Sequence, residues 1–243
     1  MAQLICRYRK GEEVRWISHL DVKRTLERAM RRAQLPLSLT QGHNPHPKLS
    51  LGPPLSVGIT GEAELIAIHL DSAMDPDALK QRLNDQLPPG LQVVEAWSVP
   101  AYRKKETFGD IDVAEYRVRV RRGPSAEALG ARIADLMAAQ DLPVARGEQG
   151  ERTVDIRPLI ISLQASDLAD RELELHMRLR TGSHGGARPQ EIVALLGLAD
   201  QETQVCYHRT GVYASAQPPG PPAPRARRRW SGNRGRREGS APS

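Results

Sequence analysis

The stretch between Thr40 and Ser50 carries side chains that suit a binding site. It reads Thr-Gln-Gly-His-Asn-Pro-His-Pro-Lys-Leu-Ser. Each proline restrains the residue before it to extended geometry, and Gly42 permits a turn with positive φ. We therefore expect a stiff loop that presents hydrogen-bond donors and acceptors, as a ligand site on a rigid loop requires. Its polar side chains are Gln41, His43, Asn44, His46 and Lys48.

A second group of candidate residues is cationic and lies just before this loop. Apolar residues recur with helical spacing at Val22, Leu26, Ala29, Met30 and Ala33, which predicts an amphipathic helix. Ser18 followed by Asp21 is typical of a helix start. Arginines at i, i+4 and i+7 on the polar face can follow a row of phosphates. The predicted nucleic-acid-binding residues of helix and loop are Lys23, Arg24, Arg28, Arg31, Arg32, Gln41, Asn44, His46 and Lys48.

The same helix face also admits less specific interpretations. Charged runs are usually solvated surface, and Glu27 is spaced to pair with both Lys23 and Arg31 in a salt-bridge lattice. One glutamate does not balance five cations, however, so a positive surplus remains. Aromatic residues are 4% of the chain. We therefore expect recognition of nucleic-acid shape or backbone, rather than base stacking, within the folded part.

The charge of the whole chain, +6 over 243 residues, is unevenly distributed. Residues 1–50 contain ten Lys or Arg and four Asp or Glu, and residues 215–243 contain seven Arg and one Glu. Each of these segments carries +6, so residues 51–214 carry −6. Positive charge that is confined to two segments indicates a polyanionic partner there, of which nucleic acid is the best fit.

Several classes of protein are disfavoured by the sequence. Cys6 and Cys206 are the two cysteines, so neither a disulfide framework nor the C-x3-C-x2-C motif of a radical SAM cluster is present. We expect no cofactor and no bound metal. No apolar run reaches the length of a membrane span, and the N-terminus lacks the apolar stretch of a signal peptide. We therefore expect a cytoplasmic protein that does not contact a membrane.

Chemistry within the chain itself has weak candidates. His19 and His46 are candidates for a general base in RNA cleavage, with Lys48 or Arg28 stabilising charge on the phosphate. His19, His43, His46 and Asp21 offer metal-binding atom types, but we expect hydrogen-bonding roles for them instead. A glycine-rich turn before a predicted helix can bind an anion weakly. Its candidate residues are Ser183, Gly185, Gly186 and Arg188.

The order of predicted elements is strand, helix, strand, strand, helix, strand, and it occurs twice. The first half has short strand signals at 4–9, 37–39, 64–70 and 91–97, and helices that begin near 18 and 75. The second half repeats the order between 114 and 212. This βαββαβ order predicts an α+β protein with two tandem ferredoxin-like domains, at 1–99 and 113–214. The Pro, Arg and Gly content of residues 215–243 predicts a disordered basic tail.

Three segments resemble the signature of a bacterial protein family. They are Ser18-His19-Leu20-Asp21, then Glu27 to Ala33, then Thr40 to Leu51. Together they are similar to the pattern of the radical-SAM-linked family (DUF2344), whose activity is uncharacterised. The chain departs from that pattern at Thr40, His43 and Leu51; because His43 replaces Phe, it is excluded from any shared metal site. Weaker matches continue to about residue 212.

The resemblance implies an accessory protein rather than a radical SAM enzyme. Similar domains are fused to, or encoded beside, a radical SAM protein, and in some lineages beside a ribonuclease of the E/G type. We therefore expect binding to RNA or a ribonucleoprotein on behalf of a radical SAM partner encoded elsewhere. Two alternatives stay open: a protein-docking module without RNA contact, and a metal-independent RNA endonuclease.

Overall fold

The computed structural model describes residues 2–99, 108–147, 149–169, 172–182, 185–199 and 203–215. Within them the chain is an α+β protein with one large mixed sheet, a small two-stranded ribbon and four α-helices. The strands are β1 Ala2–Lys10, β2 Leu49–Leu51, β3 Ile59–Leu70, β4 Leu91–Ser98, β5 Val113–Arg121, β6 Pro143–Arg146, β7 Arg152–Asp155, β8 Ile160–Asp167, β9 Glu172–Arg180 and β10 Gln204–Tyr213. The helices are α1 His19–Arg32, α2 Pro76–Asn84, α3 Ala126–Ala138 and α4 Pro189–Leu195.

The first half of the chain forms strands in the order β4-β1-β3, with β2 beside β3. All of these pairings are antiparallel. Alternation along β1 places Leu4, Cys6 and Tyr8 on the face that packs against the helices. Val22, Leu26, Ala29 and Met30 of α1, together with Leu79 and Leu83 of α2, complete this core. The predicted apolar stripe of α1 is thus confirmed as its buried face.

The second half repeats the pattern with strands in the order β10-β5-β9-β8, again antiparallel. Its own core is built from the alternating residues of β5 and β9 and from Leu129, Ile192 and Val193 of the helices. The β6-β7 ribbon lies between α3 and β8 in the chain. The sequence did not predict this ribbon, because four-residue strands are too short to show clear alternation.

The two halves join along β3 and β10, which pair in parallel over three residues, from Tyr207↔Ile59 to Arg209↔Gly61. Since β1 occupies one edge of β3, β2 and β10 share its other edge. A buried ion pair crosses this joint, in which Arg209 Nε donates to Glu64 Oε1 at 2.8 Å. Arg209 also donates to the carbonyls of Pro53 and Pro54, so its guanidinium is well satisfied despite burial.

One predicted strand of the first half was wrong. Residues 37–39 contribute two isolated bridges, Leu37↔Leu70 and Leu39↔Pro47, whereas the strand itself lies at Leu49–Leu51. The proline at 47 has no backbone N–H to donate, which limits the ladder between these segments. The predicted tail beyond Ser215 lies outside the described residues. No helix in the described part of the chain is both long and apolar enough to cross a bilayer.

Candidate nucleic-acid interface

The start of α1 is fixed by Ser18. Its hydroxyl accepts a hydrogen bond from the backbone N–H of Asp21 at 3.2 Å and donates to the Asp21 carboxylate at 2.7 Å. That hydrogen bond, together with the nearby Arg24, holds the pKa of Asp21 below its ordinary value. This reciprocal cap defines where the helix begins. It thereby fixes which side chains of the first turns face away from the core.

The polar side of α1 carries the basic helix face, which we define as Lys23, Arg24, Arg28, Arg31 and Arg32. The arginines are all exposed, and Lys23 is half-buried. Their partners are few and local. Lys23 lies 3.9 Å from Glu27, Arg24 lies 3.3 Å from Asp21, and Arg32 donates to the carbonyl of Gln86. Among the described residues, no carboxylate forms an ion pair with Arg28 or Arg31.

The expected salt-bridge lattice on α1 is therefore incomplete. Glu27 reaches Lys23 but is not paired with Arg31. No acid of the described negative middle segment, 51–214, pairs with the basic helix face. A helix with five cations and two local carboxylates keeps a positive surplus in water. Exposed pairs of this kind contribute little to stability. The surplus cations form no ion pair among the described residues, so they have no evident role in stabilising the fold.

The loop from Thr40 to Lys48 is tied at both ends. Thr40 and His46 exchange two hydrogen bonds, from Thr40 N to His46 O at 2.8 Å and from His46 N to Thr40 Oγ1 at 3.0 Å. Lys48 N donates to Ser38 O, and His69 N of β3 donates to Lys48 O. Gly42 has φ of 137°, a conformation that side-chain-bearing residues rarely adopt. The loop is thus anchored to the sheet at both of its ends.

A cleft of about 660 Å³ lies between α1 and this loop. α1, the loop, β2 and β3 all contribute residues to this open groove. Cationic side chains from α1 and from the loop face it together, with one carboxylate, that of Glu27. It is lined by Leu20, Lys23, Arg24, Glu27, Thr40, His46, Pro47, Lys48, Leu49, Ser50 and His69.

The structure separates the predicted nucleic-acid-binding residues into three groups. Lys23, Arg24, His46 and Lys48 line the cleft. Arg28, Arg31 and Arg32 extend the positive surface along α1 toward its C-terminus. Gln41 and Asn44 are exposed in the loop and do not line the cleft. The first two groups thus place cations along α1 from Lys23 to Arg32 and on the neighbouring loop.

The histidines of this region differ in environment. His19 is half-buried at the start of α1. Burial lowers the pKa of its imidazole, and the positive charges of Arg209, Lys10 and Lys23 lower it further, whereas Glu64 raises it. His69 lines the cleft, and its pKa is lowered by burial and then by Lys48. His46 is exposed in the same cleft. Of the two predicted candidates for a general base, His46 thus shares a cleft with Lys48, and His19 is not among the lining residues.

The predicted anion-binding turn has an acid in the place of a ligand. The backbone N–H of Arg188 donates to Glu191 Oε2 at 2.9 Å, and Arg146 binds both oxygens of that carboxylate at 2.7 Å. Gly186 O accepts from Arg146 as well. Gly185 has positive φ, and Ser183 lies outside the described residues. An anion bound at this turn would compete with the Glu191 carboxylate for the backbone N–H of Arg188.

A second arginine-rich surface lies on the open face of the second half. We call it the strand lattice: Arg117, Arg119, Arg121, Arg178 and Arg180 with Glu62, Glu174, Glu172, Glu115 and Asp112. Arg121 and Glu172 approach to 2.7 Å, Arg119 and Glu174 to 3.1 Å, Arg178 and Glu115 to 3.3 Å, and Arg117 and Glu62 to 3.4 Å. Arg180 pairs with Asp112. Five cations thus meet five carboxylates, and the surface is balanced.

The cysteines and carboxylates offer no evident metal centre. In the described residues, no group of three or more His, Cys, Asp or Glu side chains is placed to hold a metal ion. Cys6 is buried, and burial raises the pKa of its thiol to about 12. Cys206 is exposed beside the strand lattice, in a pocket of about 320 Å³.

Sequence reasoning missed several residues of this region. His69 and Ser50 join the cleft because β2 and β3 bring them there, which no spacing in the sequence reveals. Leu20 and Trp16 are the other omissions, and both are exposed apolar residues, at 60% and 66%. A signal was available for Trp16, since it lies two residues before the helix cap Ser18 on a basic segment and is not part of the apolar stripe of α1.

The comparison with protein families gives one match over most of the chain. A family model described as "Uncharacterized protein conserved in bacteria (DUF2344)" matches residues 3–189. No curated protein matches the sequence. The residues of α1 and of the 40–48 loop lie within the matched range.

Solved structures resemble the chain at low identity. The Cbf5-Nop10-Gar1 complex matches with 11% identity and a TM-score of 0.46, covering 87% of this chain and 48% of that chain. The archaeal box H/ACA sRNP Nop10-Cbf5 complex matches with 10% identity and a TM-score of 0.42, over 86% and 46%. A protein of unknown function from Galdieria sulphuraria has 12% identity, a TM-score of 0.25, and coverage of 86% and 98%. The chain spans about half the length of the first two, and similarities of this size carry no functional argument.

Proposed function

Since the chain belongs to the DUF2344 family of uncharacterised proteins conserved in bacteria, we propose that it is an RNA-binding accessory protein. RNA, free or in a ribonucleoprotein, would lie along the basic helix face and in the cleft beside it. The observation that carries this proposal is the surplus of unpaired cations there. Arg28 and Arg31 have no acidic partner in the described part of the chain, while Lys23, Arg24 and Lys48 face one groove.

Physical chemistry favours a polyanion as the ligand of such a surface. Lys and Arg side chains that neutralise phosphates displace the counterions condensed on the nucleic acid, and the release of these counterions drives association. The cleft also offers hydroxyl and imidazole groups, from Thr40, Ser50 and His46, which are suited to hydrogen bonds with phosphate and ribose oxygens. The wide, open form of the groove suits a strand better than a small metabolite.

The direct test is RNA binding by a charge-reversed protein. We expect Arg28→Glu/Arg31→Glu to weaken RNA binding at least about tenfold near 0.1 M salt, since each lost phosphate contact removes about 0.7 from the log–log salt slope. Both side chains are exposed, so folding should be unaffected, as circular dichroism would verify. RNA that co-purifies with the wild-type protein should be lost in the variant.

A matched control is available in the second half. Arg122 and Arg152 are also exposed and have no acidic partner among the described residues. Arg122→Glu/Arg152→Glu therefore changes the net charge by the same amount at a different place. If this control loses RNA as strongly as the α1 variant, the attraction is diffuse and the proposed site is wrong.

The proposed partner is a radical SAM protein encoded elsewhere, which would perform chemistry on RNA that this chain positions. This part of the proposal is supported by the motif resemblance alone. We propose accordingly that the chain is not itself an enzyme and holds no cofactor. Stable association with the partner in the absence of nucleic acid, with no RNA binding at low salt, would favour the protein-docking alternative.

The endonuclease alternative keeps one observation in its favour. His46, His69 and Lys48 line the same cleft, which supplies a candidate base and a cation for a phosphate. Cleavage of a labelled RNA in the presence of EDTA, abolished in His46→Ala, would establish that activity. Intact RNA after long incubation with the wild-type protein would exclude it under the conditions used.

We infer in addition that the chain consists of two ferredoxin-like units, within 1–99 and 113–214. The strand orders β4-β1-β3-β2 and β10-β5-β9-β8 support this, since both follow the 4-1-3-2 order of that unit. Each half also has a separate core. The basic helix face and the cleft then belong to the first unit, and the strand lattice lies mainly on the second.

A further inference from the structure

We propose that the RNA bound by this surface is single-stranded, and that Trp16 is the platform on which one of its bases stacks. This inference rests on the proposed function and specifies its substrate class. The backbone of the strand would follow the cleft and the basic helix face, while one base turns toward the tryptophan. Nothing in the composition of the chain indicated such a platform, because aromatic residues are scarce.

Trp16 is unusually exposed for a large aromatic residue. Its side chain is 66% accessible, the highest value among the large hydrophobic residues that are exposed in the described part of the chain. The guanidinium of Arg15 lies 4.7 Å from the centre of its ring, and Gly58 lies close to the six-membered ring. Despite these two neighbours, most of the residue stays open to solvent. An exposed indole face costs solvation free energy unless a ligand covers it.

The turn that presents Trp16 is held rigidly by a buried lysine. Lys10 is 2% exposed, and its Nζ donates to the carbonyls of Arg15 and Ile17, each at 3.0 Å. These two carbonyls flank Trp16 on either side. Gly58 N donates to the carbonyl of Arg15 at 2.9 Å as well. A backbone that is fixed so closely preorganises the ring, and less conformational entropy is lost when a base stacks on it.

The platform is adjacent to the proposed phosphate path. Leu20, four residues beyond Trp16 in the first turn of α1, lines the cleft and is 60% exposed. Val57, next to Gly58, is also exposed. An apolar patch of Trp16, Leu20 and Val57 thus borders the positive surface at the start of α1. Base faces are apolar and phosphates are anionic, so a single strand presents both chemistries side by side.

A duplex fits this arrangement poorly. Its bases are paired and already stacked on each other, and only its backbone and groove edges are accessible. A duplex can therefore use the cations but not the platform. Preference for single strands over duplexes of equal length separates this inference from the proposed function, which requires only phosphate contacts.

The test is a pair of substitutions at Trp16 with two probes. The probes are a uridine-rich single strand of about ten nucleotides and a duplex with strands of the same length. We expect Trp16→Leu, which keeps apolar bulk but removes the aromatic face, to weaken single-strand binding about 5- to 150-fold, the range for loss of one stacked base. Trp16→Phe should retain most of the affinity, and duplex binding should be the same in all three proteins.

A spectroscopic readout reports stacking directly. In a Trp97→Phe/Trp230→Phe background, Trp16 is the sole tryptophan of the chain. The single strand should quench its fluorescence at saturation, and the duplex should not. The Arg28→Glu/Arg31→Glu variant should show the same quenching at a higher RNA concentration.

The outcomes distinguish the two claims. Salt-dependent binding that is unchanged in Trp16→Leu, with no fluorescence change, would overturn the platform and leave the proposed function standing. Equal affinity for both probes would also overturn it. Absence of RNA binding by the wild-type protein would overturn both. If Trp16→Leu instead abolished binding of a partner protein while RNA binding was unchanged, the patch would be a protein-docking surface.

Discussion

The basic helix face and the strand lattice contain five Lys or Arg residues each, yet they differ in electrostatic character. On the lattice each arginine has a carboxylate from a neighbouring strand or segment within ion-pair distance. On α1 the pairs are two local contacts, and Arg28 and Arg31 have none in the described residues. A count of cations therefore does not identify a polyanion site. A cluster of cations without acidic partners on one element, beside a cleft, is the feature that does so on α1.

The difference follows from how each element places its side chains. Antiparallel strands bring residues from distant parts of the chain opposite each other, so the acids of β9 face the arginines of β5. On the exposed face of a helix, the nearest side chains to a given residue are those three or four positions away on the same helix. Its charge is therefore set by its own sequence, in which cations exceed acids.

The largest effect is expected from the cleft. Lys23→Glu/Arg24→Glu/Lys48→Glu should weaken single-stranded RNA binding about 100-fold or more near 0.1 M salt, since three phosphate contacts are lost at about 0.7 log units each. Fluorescence anisotropy with a labelled oligonucleotide measures this. A loss below about threefold would mean that the cleft is not the phosphate path.

A smaller effect is expected on stability, and it concerns the strand lattice rather than α1. Arg119→Gln removes a partner of Glu174, whose side chain is mostly buried, and should lower the free energy of unfolding by about 1 kcal/mol after allowance for the exposure of Arg119. Arg28→Gln should change it by less than about 0.5 kcal/mol. Urea unfolding followed by circular dichroism compares the two. Equal losses of unfolding free energy in the two variants would contradict the conclusion that the lattice stabilises the fold and Arg28 does not.

The smallest effect concerns pH. Burial and then Lys48 lower the pKa of His69 from its ordinary value of 6.5, so the free protein holds this imidazole neutral at pH 7. A phosphate in the cleft favours the charged form and raises the pKa, which means that binding takes up a proton. Affinity should therefore rise as pH falls below 6.5, by about two- to fivefold.

Substitution at the imidazole isolates this contribution. His69→Gln should flatten the pH profile relative to wild type, and the difference between the two profiles isolates the contribution of His69. Isothermal titration calorimetry in two buffers of different ionisation enthalpy gives the proton uptake directly. Identical profiles for both proteins would remove His69 from the site.

The sequence predicted the elements that carry local signals. The apolar spacing of α1, its Ser18 cap and the turn at Gly42 are all set by residues close together in the chain. The α+β class followed from the order of such signals. The strand at Leu49–Leu51 was missed because its three residues lie inside the loop pattern, and pairing with β3 alone makes them a strand.

Features that depend on distant pairing were not predictable in this way. His69 reaches the cleft through the register of β3, and the strand lattice is neutral because β9 pairs with β5 and because Glu62 of β3 reaches Arg117. The buried pair of Arg209 and Glu64 joins positions 145 apart in the chain. Trp16 could have been noticed, but its exposure depends on how Lys10 and Gly58 fix the turn around it.

The most direct test of the account compares the salt dependence of RNA binding for two matched double variants. Arg28→Gln/Arg31→Gln and Arg119→Gln/Arg121→Gln each remove two positive charges, the first unpaired and the second paired. We predict that the slope of log affinity against log salt becomes shallower by about 1.4 for the α1 variant, at about 0.7 per contact, and is unchanged for the lattice variant. Equal changes in both slopes, or a larger change for the lattice variant, would contradict the claim that unpaired cations on α1 bind the RNA backbone.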